Sequence, residues 1–212
     1  CWNCYISFYN SYGRAHICFI IFSISFCLFR FLTGGVIIDG TSMSPTLGDL
    51  SEGKTIRTTY RKKHLKRFDI IIFDSKVRGE RLIKRVIALP GETVSIDNIT
   101  GEITINGKIV LQNFIPTDDA QMEWEQTKRT TCVGSYNMAC GKELTIPKGY
   151  YYVLGDNRNP GKSLDSEHGL GLVPYEEIDG VLWYVDTICE EIGQSNGERV
   201  CVKKKKIKKQ YF

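Results

Sequence analysis

Apolar and polar positions divide the chain into three regimes. From Ala15 to Ile38 the sequence AHICFIIFSISFCLFRFLTGGVII runs 24 residues with one charge, Arg30. A helix needs about 20 mostly apolar residues to cross a bilayer core. The stretch therefore predicts a transmembrane anchor over 15–38, preceded by a short segment, 1–14. Its helical part is expected to end near Thr33, ahead of Gly34 and Gly35, with Arg30 reaching toward the interface. The uninterrupted run Ile17–Phe29 is 13 residues. Length alone therefore leaves a cleaved signal peptide, with an apolar core of about 7 to 15 residues, as the alternative.

Beyond Asp39 the pattern is that of strands. FDIIIF (Phe68–Phe73), GYYYVL (Gly149–Leu154) and VLWYV (Val181–Val185) are short runs rich in β-branched and aromatic residues. EITINGKIV (Glu102–Val110) alternates around Asn106-Gly107, the strongest short-range hairpin signal. No helical period of comparable strength follows residue 40, so the body, 39–202, is expected to be mainly β, built of antiparallel sheets. Residues 112–142 lack a clear period and read as an excursion from that core. The third regime, 203–212, holds KKKKIKK and reads as a solvated charge run, with contact to anionic lipid head groups as the functional alternative.

Charge sharpens this division. The formal charge of +4 belongs to the ends: residues 1–38 carry Arg14 and Arg30 and no acid, and six lysines lie between 203 and 209. What remains is 20 basic against 24 acidic residues, which excludes a nucleic-acid footprint spread over the fold. Cys132, Cys140, Cys189 and Cys201 lie in the body without a CxxC pair, and histidine is limited to His16, His64 and His168. A zinc site is not expected. In an oxidising compartment the four body cysteines allow three disulfide pairings, Cys132–Cys140 with Cys189–Cys201 being the most local.

Candidate chemistry begins with GTSMSPTL (Gly40–Leu47), which holds two serines and follows the apolar stretch directly. A serine nucleophile needs a base. His64 and His168 have no obvious orienting acid, but RLIKRVIALPGE (Arg81–Glu92) reads as a strand that ends at a Pro-Gly turn. On it Lys84 shares a face with Leu82, Val86 and Ala88, while Arg81, Ile83, Arg85 and Ile87 point the other way. A free lysine, pKa about 10.4, is neutral to roughly one part in a thousand near pH 7.4. Burial on an apolar face depresses that pKa and makes a base; a strand-edge lysine with its ammonium in water is the plainer alternative. The third stretch, GDNRNPGKSLDSEHGLGLVP (Gly155–Pro174), follows a strand and taken alone is a turn with an Asx-type cap.

The three stretches together, Ser-Met-x-Pro-Thr-Leu, Lys-Arg before Pro-Gly, and Gly-Asp-Asn-Arg followed by Ser-x-Asp-Ser, resemble the type I signal peptidases over about Val36–Val185. RFDIIIF (Arg67–Phe73) is similar to a further family strand, with Phe68 in place of its glycine. That resemblance implies Ser42 as nucleophile, followed by Met43, and Lys84 as general base, with Arg85 beside it as a structural cation. It places further family residues on Asp156 and Arg158, a serine that hydrogen-bonds the lysine on Ser163, and a structural aspartate on Asp165. Gly40 occupies a site where some relatives carry a hydroxyl for the oxyanion; with glycine there, the Ser42 N–H is the expected main donor. The loop from Arg158 to Ser163 is longer than in many relatives. Glu167 replaces a family arginine, so Asp165 is expected to find another partner, such as Arg158 or Lys162.

The resemblance further implies a signal-peptidase-like catalytic β-domain behind an uncleaved anchor. It implies cleavage of signal peptides from exported pre-proteins after small residues, through an acyl-enzyme and without metal or organic cofactor. The implied setting is the plasma membrane, single-pass, with the catalytic domain on the extracytoplasmic side, in the lipid bilayer and near the secretion translocon. Two alternatives stand beside it: a specialised Ser/Lys protease with a single pilin-like or self substrate, and an inactive peptide-binding β-domain.

Overall fold

The computed structural model describes residues 18–27, 29–57, 65–114, 131–136 and 138–212. Segment 1–14, parts of the expected anchor, His16, His64 and much of the expected excursion at 112–142 lie outside those residues. The chain divides into two units, Cys1–Gly34 and Gly35–Phe212.

In the first unit, residues 18–27 and 29–32 are helical. Phe19, Ile20, Ile21, Phe22, Ile24, Phe26, Phe29 and Phe31 are all exposed. The Thr33 hydroxyl donates to the Phe29 carbonyl (2.9 Å), so the helix ends where the glycine pair predicts. Among the described residues no helix is long and apolar enough to cross a membrane.

From Thr33 onward the strands are β1 (Thr33–Ile38), β2 (Ser51–Arg57), β3 (Ile70–Ser75), β4 (Glu80–Ala88), β5 (Thr93–Ile96), β6 (Ile103–Ile105), β7 (Lys108–Ile109), β8 (Leu144–Thr145), β9 (Tyr150–Leu154), β10 (Val173–Pro174), β11 (Ile178–Ser195) and β12 (Glu198–Tyr211). One sheet runs β1-β2-β11-β3-β4-β9-β10, with β12 also on β11; the second runs β7-β6-β5-β8. The large sheet is covered on both faces, which explains its unbroken apolar runs. Ile70 and Ile72 of β3 pack with Ile38, Met43, Leu47, Leu182 and Val185. Their neighbours Ile71 and Phe73 pack on the opposite face with Val86, Val153 and Val181. On β9, Tyr151 and Val153 share that second cluster, while Tyr152 and Leu154 join the core under the small sheet with Val94, Ile96, Ile103 and Ile105.

Asn106 and Gly107 both take positive φ (51° and 73°), the two left-handed residues that a tight I′ hairpin requires. Two boundaries differ from expectation. Residues 33–38, read as anchor, form β1, because Val36 and Ile38 face the core around Met43. The lysine-rich tail, read as a solvated run, is strand β12 on a long hairpin with β11. Its turn, Asn196-Gly197, likewise takes positive φ at both residues (52° and 81°). Two acids partly balance the run, whose lysines stay exposed: Lys203 and Lys205 pair with Glu190, and Lys204 pairs with Glu52. Both local disulfides are formed, Cys132–Cys140 and Cys189–Cys201.

Candidate active site

The loop between β1 and β2 carries Ser42 and is tied down along its length. Gly40 sits at φ 100°, which a side chain would strain, and donates its N–H to Asp49 Oδ1 (2.8 Å). Ser44 N–H returns to the Thr41 carbonyl (3.0 Å) and Leu47 N–H to that of Met43 (2.9 Å). Met43 is wholly buried, so the residue beside Ser42 is the loop's apolar peg. From the far side Asn157 donates its N–H to the Ser42 carbonyl and its side-chain amide to the Thr41 carbonyl, each at 3.0 Å. Among the described residues nothing accepts the Ser42 N–H.

Lys84 lies on β4 opposite Ile71 and is 2% exposed. Its Nζ donates to Ser42 Oγ (2.9 Å) and to the Ile83 carbonyl (2.7 Å). Burial pushes its pKa from 10.5 down to about 8, against the opposing pull of the Asp165, Glu80 and Asp156 charges. Near pH 7.4 roughly a fifth of such a lysine is neutral. The strand alternation that singled out Lys84 holds for Leu82 and Val86, which line one apolar cluster. It fails from Arg85 onward, where both faces are covered and every residue to Ala88 is buried.

Arg85 is buried because it has a full set of partners. Its Nε and Nη2 bind Asp156 at 2.8 and 2.6 Å, its Nη1 donates to the Phe68 carbonyl (2.9 Å), and its guanidinium lies 3.9 Å from the Phe114 ring centre. Phe68 takes a left-handed backbone, φ 73°, where the family strand has glycine. Its strain is offset by its ring, 5.1 Å from that of Phe114. Arg158, also buried, donates to the Gly155 carbonyl (2.6 Å) and to Gln112 (2.5 Å). A Cβ on Gly155 would run into the Ser42 carbonyl oxygen and the Ser163 side chain, so glycine lets the third motif close on the serine loop.

Two sequence expectations are changed here. The Ser163 hydroxyl is buried without a well-formed hydrogen bond, and the two bonds from Lys84 go to Ser42 and Ile83 instead. The partner found for Asp165 is His168, whose Nδ1 lies 2.7 Å from Oδ1, while Oδ2 accepts the Gly155 N–H (3.0 Å). Burial works against the charged form of each. Their mutual hydrogen bond and attraction nonetheless hold Asp165 below its ordinary pKa and His168 above its own. Glu167 hydrogen-bonds elsewhere, although its charge also favours protonated His168. Its carboxylate accepts the N–H groups of Met138 (2.8 Å) and Ala139 (2.9 Å) and the Tyr152 hydroxyl (2.6 Å). It thereby anchors the loop that the Cys132–Cys140 bridge closes. Asn157, His168 and Glu167 join the site without having been expected there. The Asp165–His168 spacing of three on one turn was a readable signal, whereas the backbone partners of Glu167, 28 and 29 residues away, left none. Among the described residues no cluster of His, Cys, Asp or Glu is placed to hold a metal ion.

A buried lysine amine on a serine hydroxyl, in a loop pinned from both sides, is an arrangement that can serve the chemistry of a serine hydrolase. Residues 11–185 match the family described as signal peptidase, peptidase S26. Signal peptidase I of Bacillus licheniformis is 34% identical over 155 residues, 73% of this chain and 77% of that protein. Signal peptidase I V of Bacillus subtilis (strain 168) is 35% identical over 156 residues, 68% of this chain and 80% of that protein. A crystal structure of a signal peptidase I from Enterococcus faecalis V583 is 34% identical, covers 57% of this chain and 97% of that one, and aligns with a TM-score of 0.41. The chain belongs to the signal peptidase family, peptidase S26, and is a serine peptidase.

Proposed function

We propose that this protein cleaves signal peptides from exported pre-proteins after small residues, with Ser42 as nucleophile and Lys84 as its base. The observation that carries the reading is the 2.9 Å contact between a buried Lys84 amine and the Ser42 hydroxyl. Neutral Lys84 takes the Ser42 proton as Oγ attacks the scissile carbonyl, and the uncommitted Ser42 N–H receives the oxyanion. Collapse breaks the peptide bond, Lys84 returns the proton to the leaving amine, and the signal peptide remains on Ser42 as an ester. Lys84 then deprotonates a water that hydrolyses this ester and frees the serine. The extended substrate pairs by β-addition, for which β1, at the end of the sheet order, offers an edge.

The apolar stretch ahead of β1, residues 15–32, acts as a single-pass anchor that leaves the β-domain on the extracytoplasmic side of the plasma membrane. The exposed, apolar helical residues 18–27 and 29–32 support the first part and the two disulfides support the second. The test is cleavage of a pre-protein ending its signal in Ala-x-Ala. Wild type cuts it, and Ser42→Ala and Lys84→Ala each lose at least about a thousandfold in kcat while remaining folded. Normal cleavage by either variant rejects the pair.

A further inference from the structure

The family match ends at residue 185, yet β11 and β12 continue as a hairpin whose turn lies at Asn196-Gly197. Two residues past that turn, Arg199 reaches back to the loop that carries Ser42. Its Nη1 donates to Asp49 Oδ2 (2.6 Å) and its Nη2 donates to Asp39 Oδ1. Asp49 in turn uses Oδ1 to hold the Gly40 N–H at 2.8 Å, and Leu50 N–H bonds the Ile38 carbonyl (2.7 Å). One guanidinium fork thus joins two carboxylates on either side of the loop, one of which is bonded to the backbone two residues before Ser42. Asn157 pins the loop after Gly40, and Arg199 with Asp49 pins it before. The hairpin is itself fastened by the Cys189–Cys201 bridge, two residues from Arg199, and by Lys204 on Glu52 of β2 (2.5 Å).

We infer that Arg199 is a positioning residue for the reaction: through Asp49 and Asp39 it fixes the Gly40–Ser42 backbone, and the Cys189–Cys201 disulfide keeps it in place. The inference rests on Ser42 being the nucleophile. Without the guanidinium, Asp39 and Asp49 repel each other and the start of the loop loses its outer tie. The Ser42 hydroxyl then samples positions away from the Lys84 amine. Because the fork is about half exposed, salt screens it, and a neutral substrate reports that screening free of its own charge effects.

The test uses the full chain in detergent and a neutral Ala-x-Ala peptide. Arg199→Ala is expected to lower kcat about fivefold with KM within about twofold, a size set by an exposed pair acting on a position-sensitive nucleophile. Arg199→Lys restores part of the loss, having the charge and not the fork. Adding Asp49→Asn to Arg199→Ala costs little more, since both act through one contact. Wild-type kcat falls toward the Arg199→Ala value as salt rises or when the Cys189–Cys201 bridge is removed by a double serine substitution, and Arg199→Ala responds to neither. Wild-type kcat and salt response in Arg199→Ala, with Ser42→Ala dead, overturn the inference alone. Cleavage by Ser42→Ala overturns the Ser42 reading and the inference with it.

Discussion

At the scale of single residues, Lys84 is costly to the fold and valuable to the chemistry for the same reason. Its 2% exposure removes the ammonium from water and lowers its pKa to about 8. Between that value and 10.5 the unfolded chain binds this proton and the folded chain does not. Stability from this group is therefore withheld below pH 8 and gained as pH rises through that window. Lys84→Met, close in volume and without charge, is expected to abolish cleavage yet to raise the denaturant midpoint at pH 7, corresponding to a gain in unfolding free energy on the order of 1 to 3 kcal/mol. A lower midpoint would mean that the ammonium is well satisfied where it lies. The alternation of Arg81–Ala88 pointed to Lys84. It could not show that Arg85, on the other face, is buried too, because Asp156 and Phe114 come from distant parts of the sequence.

At the scale of elements, the strands with clean patterns were legible and the connections that support the site were not. FDIIIF and the Asn106-Gly107 hairpin declare themselves because burial on both faces and two left-handed residues leave local marks. The β11–β12 hairpin carries the same Asn-Gly mark at 196–197, but its exposed lysine run lacks the apolar alternation of a strand, and its pairing with β11 leaves no local sign. Glu167 is the extreme case, a buried carboxylate whose partners are backbone N–H groups of the loop closed by Cys132–Cys140. Glu167→Ala strands those donors and the Tyr152 hydroxyl, so it is expected to cost about 3 kcal/mol by chemical denaturation. Opening the disulfide by Cys132→Ser with Cys140→Ser costs about 2 to 3 kcal/mol. The two changes together should cost clearly less than their sum, since each frees the same loop. Full additivity would show that Glu167 and the bridge act on separate parts of the fold.

At the scale of the whole molecule, pH couples stability to the site through opposing groups. Asp165 is held below its ordinary pKa, so its contribution is present above pH about 4 and is lost as pH falls through the lowered value. His168 is held above its ordinary value, so its contribution is complete below pH about 6.5 and is lost as pH rises through the raised value. The pair therefore stabilises most between those limits, while Lys84 favours folding only at higher pH. The stability lost in His168→Gln should be largest near pH 5 to 6 and shrink as pH rises through the raised value. A loss independent of pH would assign His168 a packing role alone.

The central claim is that a buried, partly neutral lysine activates Ser42, and the pH dependence of kcat/KM tests it most directly, because that ratio reports the free enzyme's essential groups. Cleavage of the neutral Ala-x-Ala peptide should rise with pH along a single limb with its midpoint near 8, where Lys84 loses its proton. Glu80→Gln, which removes an exposed charge that favours the ammonium, should move that midpoint down by about a few tenths of a unit. A limb centred near pH 10 or near 6.5, or one that Glu80→Gln leaves in place, would contradict Lys84 as the base.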